Sequence, residues 1–240
     1  MEEKKSIYIN YYFIFDNGHK STFEINLDRE TLDYLPSNKL KSFSWTKLDH
    51  FQCRNCPLKK EDSPECPLAL NLTEVIAEFS NLQSFENVHV IVETRERNYS
   101  KNTTVQNALS AMLGIFMVTS DCPVMLPLRP MVRFHLPFAS VEETIYRSVS
   151  TYLLGQFFKY KNGEEADWNL NHLTQDYEDI QMVNSGMAQR MRSVVDKDAN
   201  LNALVVLDVF AKELPFSIEK SLQNLEYLFT SSTKSDLLKK

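Results

Sequence analysis

A chain of 240 residues, 43% hydrophobic and 24% charged, is long enough to bury its own core and has the composition of a soluble globular protein. Its formal charge of −6 argues against nucleic acid as the main partner, because phosphate binding needs concentrated Lys and Arg. The most apolar run, 108–118, falls short of the roughly 20 residues a bilayer crossing needs. The start, MEEKKSIYINYY, lacks an apolar stretch with a small-residue cleavage site, so the expected setting is cytoplasmic, away from membrane.

IYINYYFIF and KSTFEINL, separated by DNGH, predict a β-hairpin over 7–27. A two-residue type I′ turn at Asn17-Gly18 would pair Tyr12 with Phe23 and Tyr8 with Leu27. Ile7, Ile9, Tyr11 and Phe13 then lie on the opposite face, so that strand could be covered on both sides. Residues 28–49 are mixed, with a short helix or loop ending near Trp45. Beyond a cysteine-bearing segment, Leu68, Leu72, Val75, Phe79 and Leu82 recur at helical spacing. The alternation of Val88, Val90 and Val92 marks a third strand near 87–97. Thr103 and Gln106 match a capping box for a helix through Val105, Leu109, Met112 and Phe116. The four prolines of DCPVMLPLRPMVRFHLPF (121–138) exclude an uninterrupted helix and suggest an extended crossing segment.

Ser140 and Glu143 form a second capping box, opening a helix through Ile145, Val149, Leu153 and Phe157. From 168 to 195 the apolar positions Leu170, Leu173, Tyr177, Ile180, Met187, Met191 and Val194 make a heptad seam, with Asn184 as its polar exception. Asp198 caps an apolar helix that Pro215 should stop, and Ser217 caps a last one. The expected fold is α+β: a small antiparallel sheet, the N-terminal hairpin plus the third strand, packed with a mainly helical C-terminal half. It reads as one domain over 1–232, with a sub-boundary near 120 and a frayed tail at 233–240.

Three of the four cysteines fall in HFQCRNCPLKKEDSPECPLAL (50–70). Cys53-x-x-Cys56 puts two thiols on one tight turn, and Cys66 can fold back as a third. A fourth must come from elsewhere, because structural zinc sites and most iron–sulfur clusters close with four ligands. Cys122 is the first candidate and His50 the local alternative; His135, Glu61, Asp62 and Glu65 rank below them. Cys66 reads as a helix N-cap with Pro67 at the first helical position, where the positive helix end should lower a thiol pKa. Zinc leads as the bound metal, with a [4Fe-4S] cluster as the alternative. A thiol redox switch and plain buried thiols are the competing readings.

The remaining positive charge concentrates in 95–101 and 128–135. If the second segment is extended, Arg129, Arg133 and His135 point the same way and, with Arg95 and the helix start at Thr103, could hold a small anion. Ion pairing on a solvated surface is the simpler account. No phosphate-binding glycine loop, dinucleotide fingerprint, zinc-protease helix or nucleophile elbow occurs.

CRNCPL with ECPLALNL, VETRERNYSKNTTVQ and SDCPVMLPLRPMVRFHLPFASVEET together resemble a bacterial domain family of unknown function, over about 45–207. The resemblance implies a bacterial cytoplasmic protein with Cys53, Cys56, Cys66 and Cys122 as the motif's four cysteines. The expectation is therefore a metal-stabilised regulatory or interaction protein, not an enzyme, with a protein or small anionic ligand as partner. An anion-binding enzyme or sensor is the alternative.

Overall fold

The computed structural model describes residues 6–195 and 197–230; the tail expected to fray lies outside them. Its four strands are β1 (Ser6–Phe15), β2 (Lys20–Asp28), β3 (Asn87–Thr94) and β4 (Asn98–Thr104), in one antiparallel sheet ordered β2-β1-β3-β4. The fold is α+β, as the sequence implies.

The hairpin register is one residue away from the expected one. Tyr12 pairs with Thr22 and Tyr11 with Phe23. The Gly18 N–H donates to the Phe15 carbonyl and Gly18 takes φ +84°, so the connection is a three-residue loop with a left-handed glycine, not a two-residue turn. The shift places Phe23, Ile25 and Leu27 beside Ile9, Tyr11 and Phe13 on one face. That face is the buried one; Tyr8 and Tyr12 look outward.

The helical stretch after the cysteines is two pieces, α1 (Pro67–Asn71) and α2 (Thr73–Phe79), which meet at Leu72. Phe79 stacks on Phe23 and meets Phe13 edge-on, so α2 covers the sheet. The helix expected after Thr103 is α3 (Val105–Val118), but Thr103 belongs to β4 and no side-chain cap forms. Instead the Val105 and Gln106 N–H groups donate to the Glu86 and Ser84 carbonyls, which removes them as anion donors.

The proline-rich segment is also not extended. Pro123–Phe134 is a 3-10 helix, with Pro127 and Pro130 exposed and Met125 and Val132 buried. A 3-10 helix bonds i to i+3, so a row at three-residue spacing forms one face. Ser140 and Glu143 do form a reciprocal capping box for α4 (Val141–Lys161). The heptad seam is α5 (Asn171–Arg192), with Leu173, Tyr177, Ile180, Asn184, Met187 and Met191 all buried. It packs on α6 (Ala199–Leu225), which runs through Pro215 where a stop was expected; a four-residue turn of helix, α7 (Tyr227–Thr230), follows. Asn184 meets that contact by donating to Asp208 on α6 at 3.4 Å. Asp198 does not cap α6; its carboxylate accepts from Ser84 and Asn202. Among the described residues no single helix is long and apolar enough to cross a membrane.

Candidate metal centre

The segment between Thr46 and Cys66 is a loop closed at its base. Lys47 bridges Glu65, the Leu48 N–H donates to the Pro64 carbonyl at 3.0 Å, and the Cys66 N–H to the Thr46 carbonyl at 2.7 Å. Glu65 is used up here: its carboxylate accepts from Thr46 and Ser42, each at 2.7 Å, and pairs with Lys47. Within the loop, the Cys56 N–H donates to the Cys53 carbonyl at 3.1 Å, the tight turn that C-x-x-C requires. Asn55 ties that turn to α5 by donating to the Asp179 carbonyl at 2.9 Å.

Gly186 of α5 is what lets the loop come this close. A Cβ there would lie 2.6 Å from Cys53 Sγ and 3.4 Å from Cys53 Cα. Alanine improves helix propensity by about 1 kcal/mol. Overpacking costs about 1–3 kcal/mol and displaces Cys53. Gly186→Ala is expected to lower stability in urea titration by about 1 kcal/mol net; an unchanged or raised midpoint would contradict the close approach.

Cys66 and Cys122 solve the same local problem twice. Each is the residue before a helix, each is followed by proline at the first helical position, and their dihedrals nearly coincide (φ −76°, ψ 113° and φ −73°, ψ 113°). Burial raises the Cys66 thiol pKa, while the Ala69 N–H, the Arg190 guanidinium and the Leu68 N–H pull it down. Burial also pushes Cys122 up to about 11, against the Val124 and Met125 N–H groups. The helix ends act as expected, but desolvation outweighs them.

The thiols also act on one another. Burial pushes Cys53 up to about 12, and Cys66, Cys122 and Cys56 raise it further. Cys122 is raised in turn by Cys66 and Cys56. All four cysteines therefore gather within electrostatic reach, Cys66 and Cys122 buried, Cys53 and Cys56 half-buried at the rim. All four are reduced and unpaired. The gathering is loose: among the described residues, no three His, Cys, Asp or Glu side chains form a group that could hold one metal ion. His50, the local alternative, turns to the Ser193 hydroxyl at 3.1 Å and stacks edge-on with Phe51.

Sequence reasoning missed Arg190, the largest fully buried side chain near this cage. It is 1% exposed, and its fork donates to the carbonyls of Trp45 (2.8 Å), Lys47 (2.7 Å) and Leu48 (2.8 Å) at the base of the loop. Its Nε is buried with no partner, and its charge lowers the pKa values of Cys53 and Cys66. A buried cation and an unpartnered N–H donor within reach of Cys53 and Cys66 fit a thiolate-ligated group, whose negative charge they would balance.

The basic candidates do not assemble. Arg95 is exposed beyond β3. Arg129 is engaged by Asp33 and by the carbonyls of Val118 and Ser120. Arg133 lies over the Phe134 ring. Only His135 lines a cavity, and its Nε2 is 2.6 Å from the Tyr11 hydroxyl on β1. The helical course of 123–134 breaks the period-two alignment that would have joined these side chains.

Burial holds His135 at about 3, well below its ordinary 6.5, and the nearby Arg147 adds to the depression. A depressed histidine contributes stability above pH 6.5 that is lost progressively as pH falls toward 3. Between pH 7.5 and 5 the loss comes to about 2 kcal/mol. Denaturant titrations of the wild type and of His135→Gln should diverge in slope over that range. Parallel pH dependence would refute the assignment.

The structure is that of an α+β protein with four free cysteines, two buried and two half-buried. Residues 9–230 match the family described as a domain of unknown function (DUF6901), and the chain belongs to it. No curated protein and no solved structure matches the chain.

Proposed function

We propose that the protein is a non-enzymatic regulatory or interaction protein built around one iron–sulfur cluster held by Cys53, Cys56, Cys66 and Cys122. The reading rests on one observation: a surface loop and two proline-locked helix starts bring four thiols together beside a buried, under-partnered arginine. A single zinc ion bonded at about 2.3 Å wants its sulfurs about 4 Å apart, and among the described residues no three His, Cys, Asp or Glu side chains form such a group. Cluster ligands stand roughly 6 Å apart, which suits a looser gathering. Four thiolates leave no open position for a substrate, which favours a structural, electron-carrying or sensing role over hydrolysis.

The half-buried Cys53 and Cys56 put one edge of the centre near solvent, and a reducing cytoplasm would keep the thiols available. Loss of the cluster would release the 47–65 loop, a change that a protein partner can read. Zinc is the second reading, favoured by the tight Cys53–Cys56 turn. Purification under nitrogen without added metal, followed by iron, zinc and acid-labile sulfide analysis, separates them. The cluster predicts about four iron and four sulfide per chain, with a broad absorption band at roughly 400 nm. About one zinc without sulfide would transfer the site to the second reading. Less than about a tenth of an equivalent of either metal would overturn both.

A further inference from the structure

A cavity of about 290 Å³ opens where the 3-10 helix crosses α3, α4, α5 and α6. Its walls are mainly apolar, Ile115, Leu128, Ile180 and Leu207 among them. Met125, Leu128 and Met131, three residues apart, form the face that the 3-10 helix presents to it. The volume is at the lower end for a small-molecule site. None of its lining residues is a cysteine, so it is separate from the candidate metal centre.

Most polar groups in the wall are already satisfied from within. Tyr177 donates to Ser148, His135 is bonded to Tyr11, and Asn184 donates to Asp208. Arg147 differs. Its Nη2 donates to the Met131 and Phe134 carbonyls at 3.0 and 3.1 Å, which fixes the guanidinium against the wall. Among the described residues no carboxylate pairs with it within 4 Å: Glu143, one turn earlier on α4, is held by the Ser140 N–H. Burial lowers the Arg147 pKa and outweighs the attraction of Tyr177, Tyr99 and Glu143, none of which bonds to it. At the rim, Lys101 adds a second positive charge, 5.8 Å from the Phe138 ring centroid. A fixed guanidinium facing an apolar cavity matches a planar carboxylate on an apolar body.

We propose that this cavity binds a medium-chain monocarboxylate, its carboxylate on Arg147 and its hydrocarbon between the 3-10 helix and α5–α6. Titration calorimetry on the full chain with octanoate, octan-1-ol and octylammonium tests it. Octanoate should saturate at one per chain, with octanol at least about tenfold weaker and octylammonium not binding. Arg147→Met should weaken octanoate about tenfold or more. Ala111→Trp, which fills the cavity, should abolish binding while the circular dichroism melt stays cooperative. If Arg147→Met fails to fold, the head-group comparison on the wild type still decides. Equal affinity for octanoate and octanol, no saturation by about 1 mM octanoate, or unchanged binding by Ala111→Trp would each overturn the proposal.

Discussion

Cys122→Ser is expected to empty the proposed metal centre and to lower the melting temperature by roughly 10 °C. The physical reason is topological. In the proposed centre Cys122 would be the one ligand outside the 47–66 segment, so the centre would tie α1 and the cysteine loop to the start of the 3-10 helix. Closing the chain between Cys66 and Cys122 restricts the unfolded state much as a disulfide does, worth about 4 kcal/mol by that analogy. The direct effect of a buried hydroxyl in place of a thiol is smaller, about 1–2 kcal/mol. Two controls separate these terms. Wild type stripped of metal should melt close to Cys122→Ser, and Cys66→Ser combined with Cys122→Ser should lose little more than either alone, because one centre is lost once. If Cys122→Ser keeps its full metal content, the fourth ligand lies elsewhere and the centre is misassigned.

How much of this was legible depended on which signal was weighted. Asn17-Gly18 suggests a two-residue turn, and that choice shifts the hairpin by one. The apolar alternation held a better answer. Ile9, Tyr11 and Phe13 on β1 and Phe23, Ile25 and Leu27 on β2 are all odd-numbered, so sharing a face requires odd to pair with odd, which excludes Tyr12 opposite Phe23 and allows the observed Tyr11 opposite Phe23. β4 left no such trace. NYSKNTT is an edge strand with no fully buried residue, so its sequence shows neither alternation nor apolar content. The 3-10 helix was hidden for the opposite reason: its prolines exclude an α-helix and so favour reading an extended chain. The spacing of Met125, Leu128 and Met131 was the available clue to a threefold face.

The centre was half legible. Cys66-Pro67 reads as a helix start from the sequence, and the same logic applied to Cys122-Pro123 gives the other helix start. What no spacing supplies is the meeting of the two, which depends on how α1 and the 3-10 helix are carried on α3 and α5. Gly186 carried a faint mark, a glycine inside a heptad seam. Arg190 carried none, since an arginine in the last turn of a helix ordinarily belongs to the solvent. Its burial is decided by backbone carbonyls at Trp45, Lys47 and Leu48, groups that every sequence contains and that no side-chain pattern reports.

Arg190→Met is accordingly the second large effect. It removes the donors from three carbonyls at the base of the loop and leaves a chain of similar length in place. Each buried acceptor left unsatisfied costs about 1–3 kcal/mol, and partial relaxation brings the expected total to about 3–5 kcal/mol. For a chain of this size that is a fall in melting temperature of roughly 6–10 °C. Arg190→Lys tests the charge separately from the fork. A single ammonium keeps the positive charge beside Cys53 and Cys66 but cannot reproduce the planar set of donors. The lysine variant should therefore retain most of its metal while losing stability, and the methionine variant should lose both. Measured by thermal melts and metal analysis side by side, a methionine variant within about 1 kcal/mol of wild type would contradict the strapping role. Because Arg190 and Cys122 act on the same loop from opposite sides, Arg190→Met combined with Cys122→Ser should destabilise by less than the sum of the two. That shortfall measures how far the loop base and the thiol cage are one cooperative unit.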